Sequence, residues 1–117
     1  MTDGKAPGSE IPEITPTELN ERMTKGQPIT LVDVREPHEP EIADLPAWGQ
    51  KLIPLRELPD RLDELQHDEP LVLYCRSGSR SGFATRFLRE QGFEKVWNLK
   101  GGMLGWKREV DPSIQEY

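Results

Sequence analysis

Apolar residues arrive in short bursts whose period changes along the chain, and those changes mark out the elements. Ile29-Thr-Leu-Val-Asp-Val34 is rich in β-branched residues and apolar on both faces, which predicts a strand buried on both sides, as in a parallel sheet. Leu71 to Cys75 repeats that pattern, and Lys51 to Leu55 and Val96 to Leu99 predict two shorter strands. Helical spacing lies between them. Thr15-Pro16 reads as an N-cap followed by proline at the first helical position, opening a helix through Leu19 and Met23 that stops near Gly26. Leu55, Leu58, Leu62 and Leu65 predict an amphipathic helix ending before His67-Asp68. Ser81 to Gln91 predicts a helix that buries Phe83, Ala84, Phe87 and Leu88 and stops at Gly92. Gly101 to Val110 predicts a closing helix with Met103, Leu104 and Trp106 inward. The stretch from Arg35 to Gly49 is proline-rich and charged, hence mostly loop with one turn near Glu41. Strands alternating with helices indicate an α/β domain with a mainly parallel sheet.

Length and charge narrow the options. A chain of 117 residues supports one modest core. Residues 1–12 read as a flexible leader or interdomain linker, and residues 13–117 as the domain. A formal net charge of -6 argues against general binding to nucleic acid or to an anionic membrane. No apolar run is long enough to span a bilayer, and Met1 to Glu10 lacks the apolar centre of a signal peptide. One cysteine excludes an internal disulfide, and two distant histidines with one cysteine make no zinc site. The expectation is a cytoplasmic protein without metal or cofactor.

The chemistry concentrates in Leu71-Val-Leu-Tyr-Cys-Arg-Ser-Gly-Ser-Arg-Ser-Gly82, which sets a cysteine at the carboxyl end of a buried strand, then a short loop, then a helix. Ligands bind at that edge of open α/β sheets. Gly78 lets the loop curl so that successive backbone N–H groups form an anion nest. The helix adds the positive end of its dipole, and Arg76 and Arg80 add full charges. An ordinary thiol is only about 3% thiolate at pH 7, so a nucleophilic cysteine needs surroundings that favour the anion by about 3 kcal/mol, which a helix terminus and charge-assisted contacts supply. The ordinary alternative, a buried structural cysteine, does not account for a glycine loop carrying two arginines. The same cradle would hold the outer sulfur of a persulfide. Cys75 would attack the sulfane sulfur of a donor, and a nucleophilic acceptor would later remove it.

Cys75-Arg-Ser-Gly-Ser-Arg-Ser81 resembles the active-site loop of rhodanese-like sulfurtransferases. Val32-Asp-Val-Arg-Glu-Pro37 and Leu99-Lys-Gly-Gly-Met-Leu-Gly-Trp106 resemble that family's early and C-terminal signatures, in the same order. The resemblance implies a rhodanese-like α/β fold with a central sheet of four to five strands and helices on both faces. It implies a thiosulfate sulfurtransferase activity in which Cys75 carries the persulfide and Arg76, Ser77, Gly78, Ser79 and Arg80 bind the sulfur. The chain departs from the family at Ala43-Asp-Leu-Pro-Ala-Trp48, where a Gly-His-Ile-Pro-Gly-Ala stretch is often found; the expectation there is an altered loop with Trp48 at the pocket rim. The ending Val110-Asp-Pro-Ser-Ile-Gln-Glu-Tyr117 resembles the C-terminus of fused adenylyltransferase–sulfurtransferases of molybdopterin and thiamine biosynthesis. That likeness implies a ubiquitin-like sulfur-carrier protein as acceptor, with thiosulfate or a protein persulfide as donor, and a place in a larger protein.

Other readings compete. Cysteine-dependent phosphatases and arsenate reductases also use a cysteine on an anion loop, but with Cys-x5-Arg spacing; here position 81 is serine and the arginine falls at 80. The shorter loop suits one sulfur atom and cramps a tetrahedral phosphate. Rhodanese folds also serve as non-catalytic binding modules, which commonly lack the cysteine. A thioredoxin-like exchanger would need a second cysteine. Asp33 and Arg35 stand at the end of the first strong strand. Their ordinary reading is a structural ion pair, and Arg35 would also raise the local positive potential in support of Cys75. His38 reads as solvated, and Trp97 and Trp106 as core or rim aromatics.

Overall fold

The computed structural model describes residues 11–117; the first ten residues of the expected leader lie outside the described residues. Glu13–Ile14 forms a short edge strand, β1, and Thr15 then caps α1 (Pro16–Thr24). The cap is reciprocal: the Thr15 hydroxyl accepts from the Glu18 N–H, and the Glu18 carboxylate accepts from the Thr15 N–H. The remaining elements are β2 (Thr30–Asp33), β3 (Lys51–Leu52), β4 (Leu71–Tyr74), α2 (Ser79–Glu90), β5 (Val96–Leu99) and α3 (Gly102–Glu109). All five strands are parallel, in the order β1-β5-β4-β2-β3. The α/β fold with a parallel sheet and helices on both faces therefore stands as the sequence indicates.

β4 is the central strand, and each of its residues is buried. Its side chains alternate between two cores. Leu71, Leu73 and Cys75 join Val32, Val34, Ala84 and Leu88 on the face covered by α2. Val72 and Tyr74 join Leu31, Leu19, Met103 and Trp106 on the face covered by α1 and α3. Burying each large aliphatic side chain contributes about 1.5–3 kcal/mol, and both faces of β4 are needed to gather them. The strand thus delivers Cys75 to the carboxyl edge from a rigid base.

Four expectations are corrected. β1 adds an edge strand that two residues are too short to announce by pattern. The expected strand from Lys51 to Leu55 pairs only over Lys51–Leu52. The expected helix over the leucines from Leu55 to Leu65 is two 3₁₀ turns, Leu55–Asp60 and Leu62–Glu64. Pro59 has no N–H to donate and disfavours helical geometry at Leu58, so an α-helix cannot pass; Leu58 and Leu65 still reach the core. Finally, α2 starts at Ser79 and buries Ser81, Gly82, Ala84, Thr85 and Leu88. That stripe leaves Phe83 on the open side, 60% exposed. Small residues line the stripe because the helix lies close to the sheet: a Cβ on Gly82 would come within 3.3 Å of the Asn98 amide nitrogen.

Candidate functional site

Backbone connectivity aims the loop after β4. Met103 N–H donates to the Cys75 carbonyl at 2.9 Å, and Leu104 N–H donates to the Arg76 carbonyl at 3.0 Å. The start of α3 thereby holds two successive carbonyls on one side. In a trans peptide the next N–H points the opposite way, so the amides of Arg76 and Ser77 turn away from α3. This docking requires glycine at 102, where φ is +57° and a Cβ would lie 2.4 Å from the Cys75 carbonyl oxygen. Gly78 supplies the other left-handed position, at φ +101°, and turns the chain into α2.

The sulfur sits inside the resulting curl. Cys75 Sγ accepts from the N–H of Gly78 at 3.1 Å and of Ser81 at 3.4 Å. The Ser81 hydroxyl lies 3.3 Å from the sulfur and 2.6 Å from Asn98 Oδ1. Its single hydrogen can go to either, so a charged sulfur draws it and a neutral thiol leaves it to Asn98. Asn98 also donates to the Gly78 carbonyl at 3.1 Å, tying the loop to β5. Among the described residues, the N–H groups of Arg76, Ser77, Ser79 and Arg80 meet no protein acceptor. Cys75 is buried, 1% exposed, although its sulfur touches donors as well as hydrocarbon.

The arginines are placed differently from the sequence expectation. Arg80 lies on the first turn of α2 and forms a two-point ion pair with Glu39, at 2.7 and 2.9 Å. Arg80 hydrogen bonds outweigh burial and hold the Glu39 carboxyl down to about 2. Tyr117 Oη donates to Glu39 at 2.9 Å and accepts from Arg35 at 2.9 Å. Arg76 donates through Nε to the main-chain oxygen of Tyr117, with its guanidinium over the Tyr117 ring. The charge of Arg80 is opposed by Glu39, and Arg76 turns its Nε to the Tyr117 main-chain oxygen.

Asp33 and Arg35 form the structural pair that was the ordinary reading. Arg35 is fully buried; it bonds both Asp33 oxygens at 2.9 Å, Asp44 at 3.0 Å and the Ala43 carbonyl at 2.8 Å. Burial works to lower its pKa, and the bonds to Asp33 and Tyr117 raise it above the usual arginine range. Burial pushes the Asp33 carboxyl up, opposed by Arg35. With two carboxylates on it, Arg35 adds no net positive potential for Cys75. Trp48 is not at the rim of the sulfur loop: it packs edge-on against Trp106, centroids 5.7 Å apart, on the other face of the sheet from Cys75.

The sequence singles out the residues from Cys75 to Arg80 but not Ser81, Asn98, Glu39 or Tyr117, which the structure places beside them. Asn98 carried a readable signal, a polar residue inside the buried strand Val-Trp-Asn-Leu. Ser81 was weighed only as a missing arginine. Glu39 sits among several charged loop residues, and Tyr117 lies 78 positions away from it, so nothing local pairs them.

The Rhodanese-like domain family model matches residues 15–109. The chain is 36% identical over 104 residues to a protein named "Sulfurtransferase" of Allochromatium vinosum, covering 89% of this chain and 95% of that one. It is 33% identical to the probable adenylyltransferase/sulfurtransferase MoeZ of Mycobacterium tuberculosis, where it covers 100% of this chain but spans only 30% of that protein. Among solved structures, a rhodanese-like domain protein from Staphylococcus aureus superposes with a TM-score of 0.76 at 29% identity, covering 92% of this chain and 99% of that one.

Proposed function

This chain belongs to the rhodanese-like domain family of sulfurtransferases, and from that premise we propose that Cys75 is the atom-carrying residue, holding transferable sulfur as a persulfide. The observation that carries this reading is the contact set of Cys75 Sγ, two backbone N–H groups and a serine hydroxyl. Such donors stabilise a thiolate, and free amides around the loop remain for the next sulfur outward.

In the first transfer the Cys75 thiolate attacks the sulfane sulfur of the donor. With thiosulfate, a sulfur–sulfur bond forms to Cys75, the donor's own sulfur–sulfur bond breaks, and sulfite leaves with its electron pair. In the second, an acceptor nucleophile attacks the outer sulfur and Cys75 leaves as thiolate. The near-complete burial of Cys75 supports sulfur over phosphoryl chemistry, since a terminal sulfur atom can enter where a tetrahedral phosphorus with three oxygens cannot. For the acceptor we propose a ubiquitin-like sulfur-carrier protein; the likeness to part of an adenylyltransferase/sulfurtransferase and to the "Putative sulfur carrier protein YrkF" of Bacillus subtilis supports a sulfur carrier in general.

Incubation with thiosulfate is expected to add one sulfur atom to the protein by intact mass, removable by cyanide or dithiothreitol. Cys75→Ser should take up none; sulfur on that variant, or Cys75-dependent hydrolysis of para-nitrophenyl phosphate, would overturn the assignment.

A further inference from the structure

Of the loop arginines, the natural attraction for an anionic donor, Arg80 is held in an ion-pair cluster. Arg80 faces Glu39, Arg35 faces Asp33 and Asp44, and the Tyr117 hydroxyl bridges Arg35 to Glu39, while Arg76 donates to the Tyr117 main-chain oxygen. Arg80 gives one N–H from each terminal nitrogen to Glu39, which is itself buried, 5% exposed, while the Arg80 side chain stays 37% exposed. A donor approaching Cys75 therefore meets an Arg80 whose charge Glu39 already balances.

Donors differ in what they ask of that site. Thiosulfate arrives as a dianion and must approach a thiolate, a repulsion that an uncompensated cation would offset beyond what the loop N–H groups supply. A persulfide R–S–SH arrives neutral or singly charged. Its transfer, Cys75–S⁻ with R–S–SH giving Cys75–S–SH and R–S⁻, brings no second charge into the loop. We propose that Glu39 is a specificity-determining positioning residue and that Tyr117 orients it: by occupying Arg80, Glu39 makes the site select persulfide donors over thiosulfate. This rests on the reading of Cys75 as sulfur carrier.

The test compares kcat/KM for thiosulfate and for 2-hydroxyethyl persulfide, which carries no charge besides its sulfur, with cyanide as acceptor, in the unmodified protein and in Glu39→Gln and Tyr117→Phe. Glu39→Gln leaves Arg80 with net charge, and the thiosulfate-to-persulfide ratio should rise about tenfold, the size of one charge-assisted contact. The rise should come through the KM for thiosulfate and should shrink in high salt. Tyr117→Phe removes only the bridging hydroxyl and should move the ratio the same way by about threefold. Folding of each variant is checked by circular dichroism, and if Glu39→Gln does not fold, Tyr117→Phe decides alone. A ratio unmoved or lowered in a folded variant would overturn the proposal. Cys75→Ser separates the two levels: persistent sulfur uptake there sinks the carrier assignment itself, whereas its loss together with an unmoved ratio sinks only the selectivity.

Discussion

A fully buried guanidinium is costly unless every donor finds an acceptor, and Arg35 shows how the cost is met. Its three nitrogens reach two carboxylates, a carbonyl and a phenol. Glu39 plays the matching role for Arg80. Its folded pKa of about 2 lies below its ordinary value of 4.5, so the stabilisation is complete above about pH 5 and is lost as the pH falls towards 2. A lowering of that size corresponds to at most about 3 kcal/mol, and water at the 37% exposed Arg80 side chain screens part of it. Urea melts between pH 5 and pH 2 should accordingly show the unmodified protein losing up to that much more stability than Glu39→Gln, which has no carboxyl to protonate at this site. Parallel curves would mean that the Arg80 pair contributes nothing to folding.

At the scale of elements, the sulfur loop is held by its neighbours more than by itself. α3 fixes two of its carbonyls, β5 fixes a third through Asn98, and Gly78 makes the turn between them. Gly102 permits that arrangement: with φ at +57° and two carbonyl oxygens within 2.7 Å of any Cβ, alanine there must push α3 off the loop. Gly102→Ala should cost at least about 2 kcal/mol and slow alkylation of Cys75 by iodoacetamide, measured by urea melts and by mass; unchanged values for both would sink the framing role. The strand–loop–helix unit was legible because an apolar run, a glycine and a helix start all lie within twelve consecutive residues of sequence. The 3₁₀ turns were not, since leucine spacing outvoted Pro59 in the reading while the backbone obeys Pro59. Phe83 misled for a related reason: hydrophobicity alone placed it inward, whereas the need to bring Ser81 to Cys75 sets which face of α2 meets the sheet.

Over the whole molecule, the segment after α3 closes the site from a distance. Residues 110–117 lie beyond the family match, which ends at 109, yet Val110, Ile114 and Tyr117 pack on the core that contains Trp106 and Tyr74. Lys107 pins the segment by donating to the carbonyls of Pro112 and Ile114. Tyr117 then spans to Arg35, Glu39 and Arg76, three residues that approach one another only when the sheet has formed. Shortening the chain after Val110 would expose Ile114's contact area and leave a buried Arg35 donor without its acceptor, a penalty of about 1–3 kcal/mol for the unsatisfied group with the lost burial in addition. The shortened protein should still form its parallel sheet, because every strand and both cores have their main members before residue 110. Its Tm by circular dichroism should nevertheless fall by at least about 10 °C. An unchanged Tm would mean that water replaces Tyr117 at Arg35 without loss, and the segment would then be a cover over the fold and not a part of it.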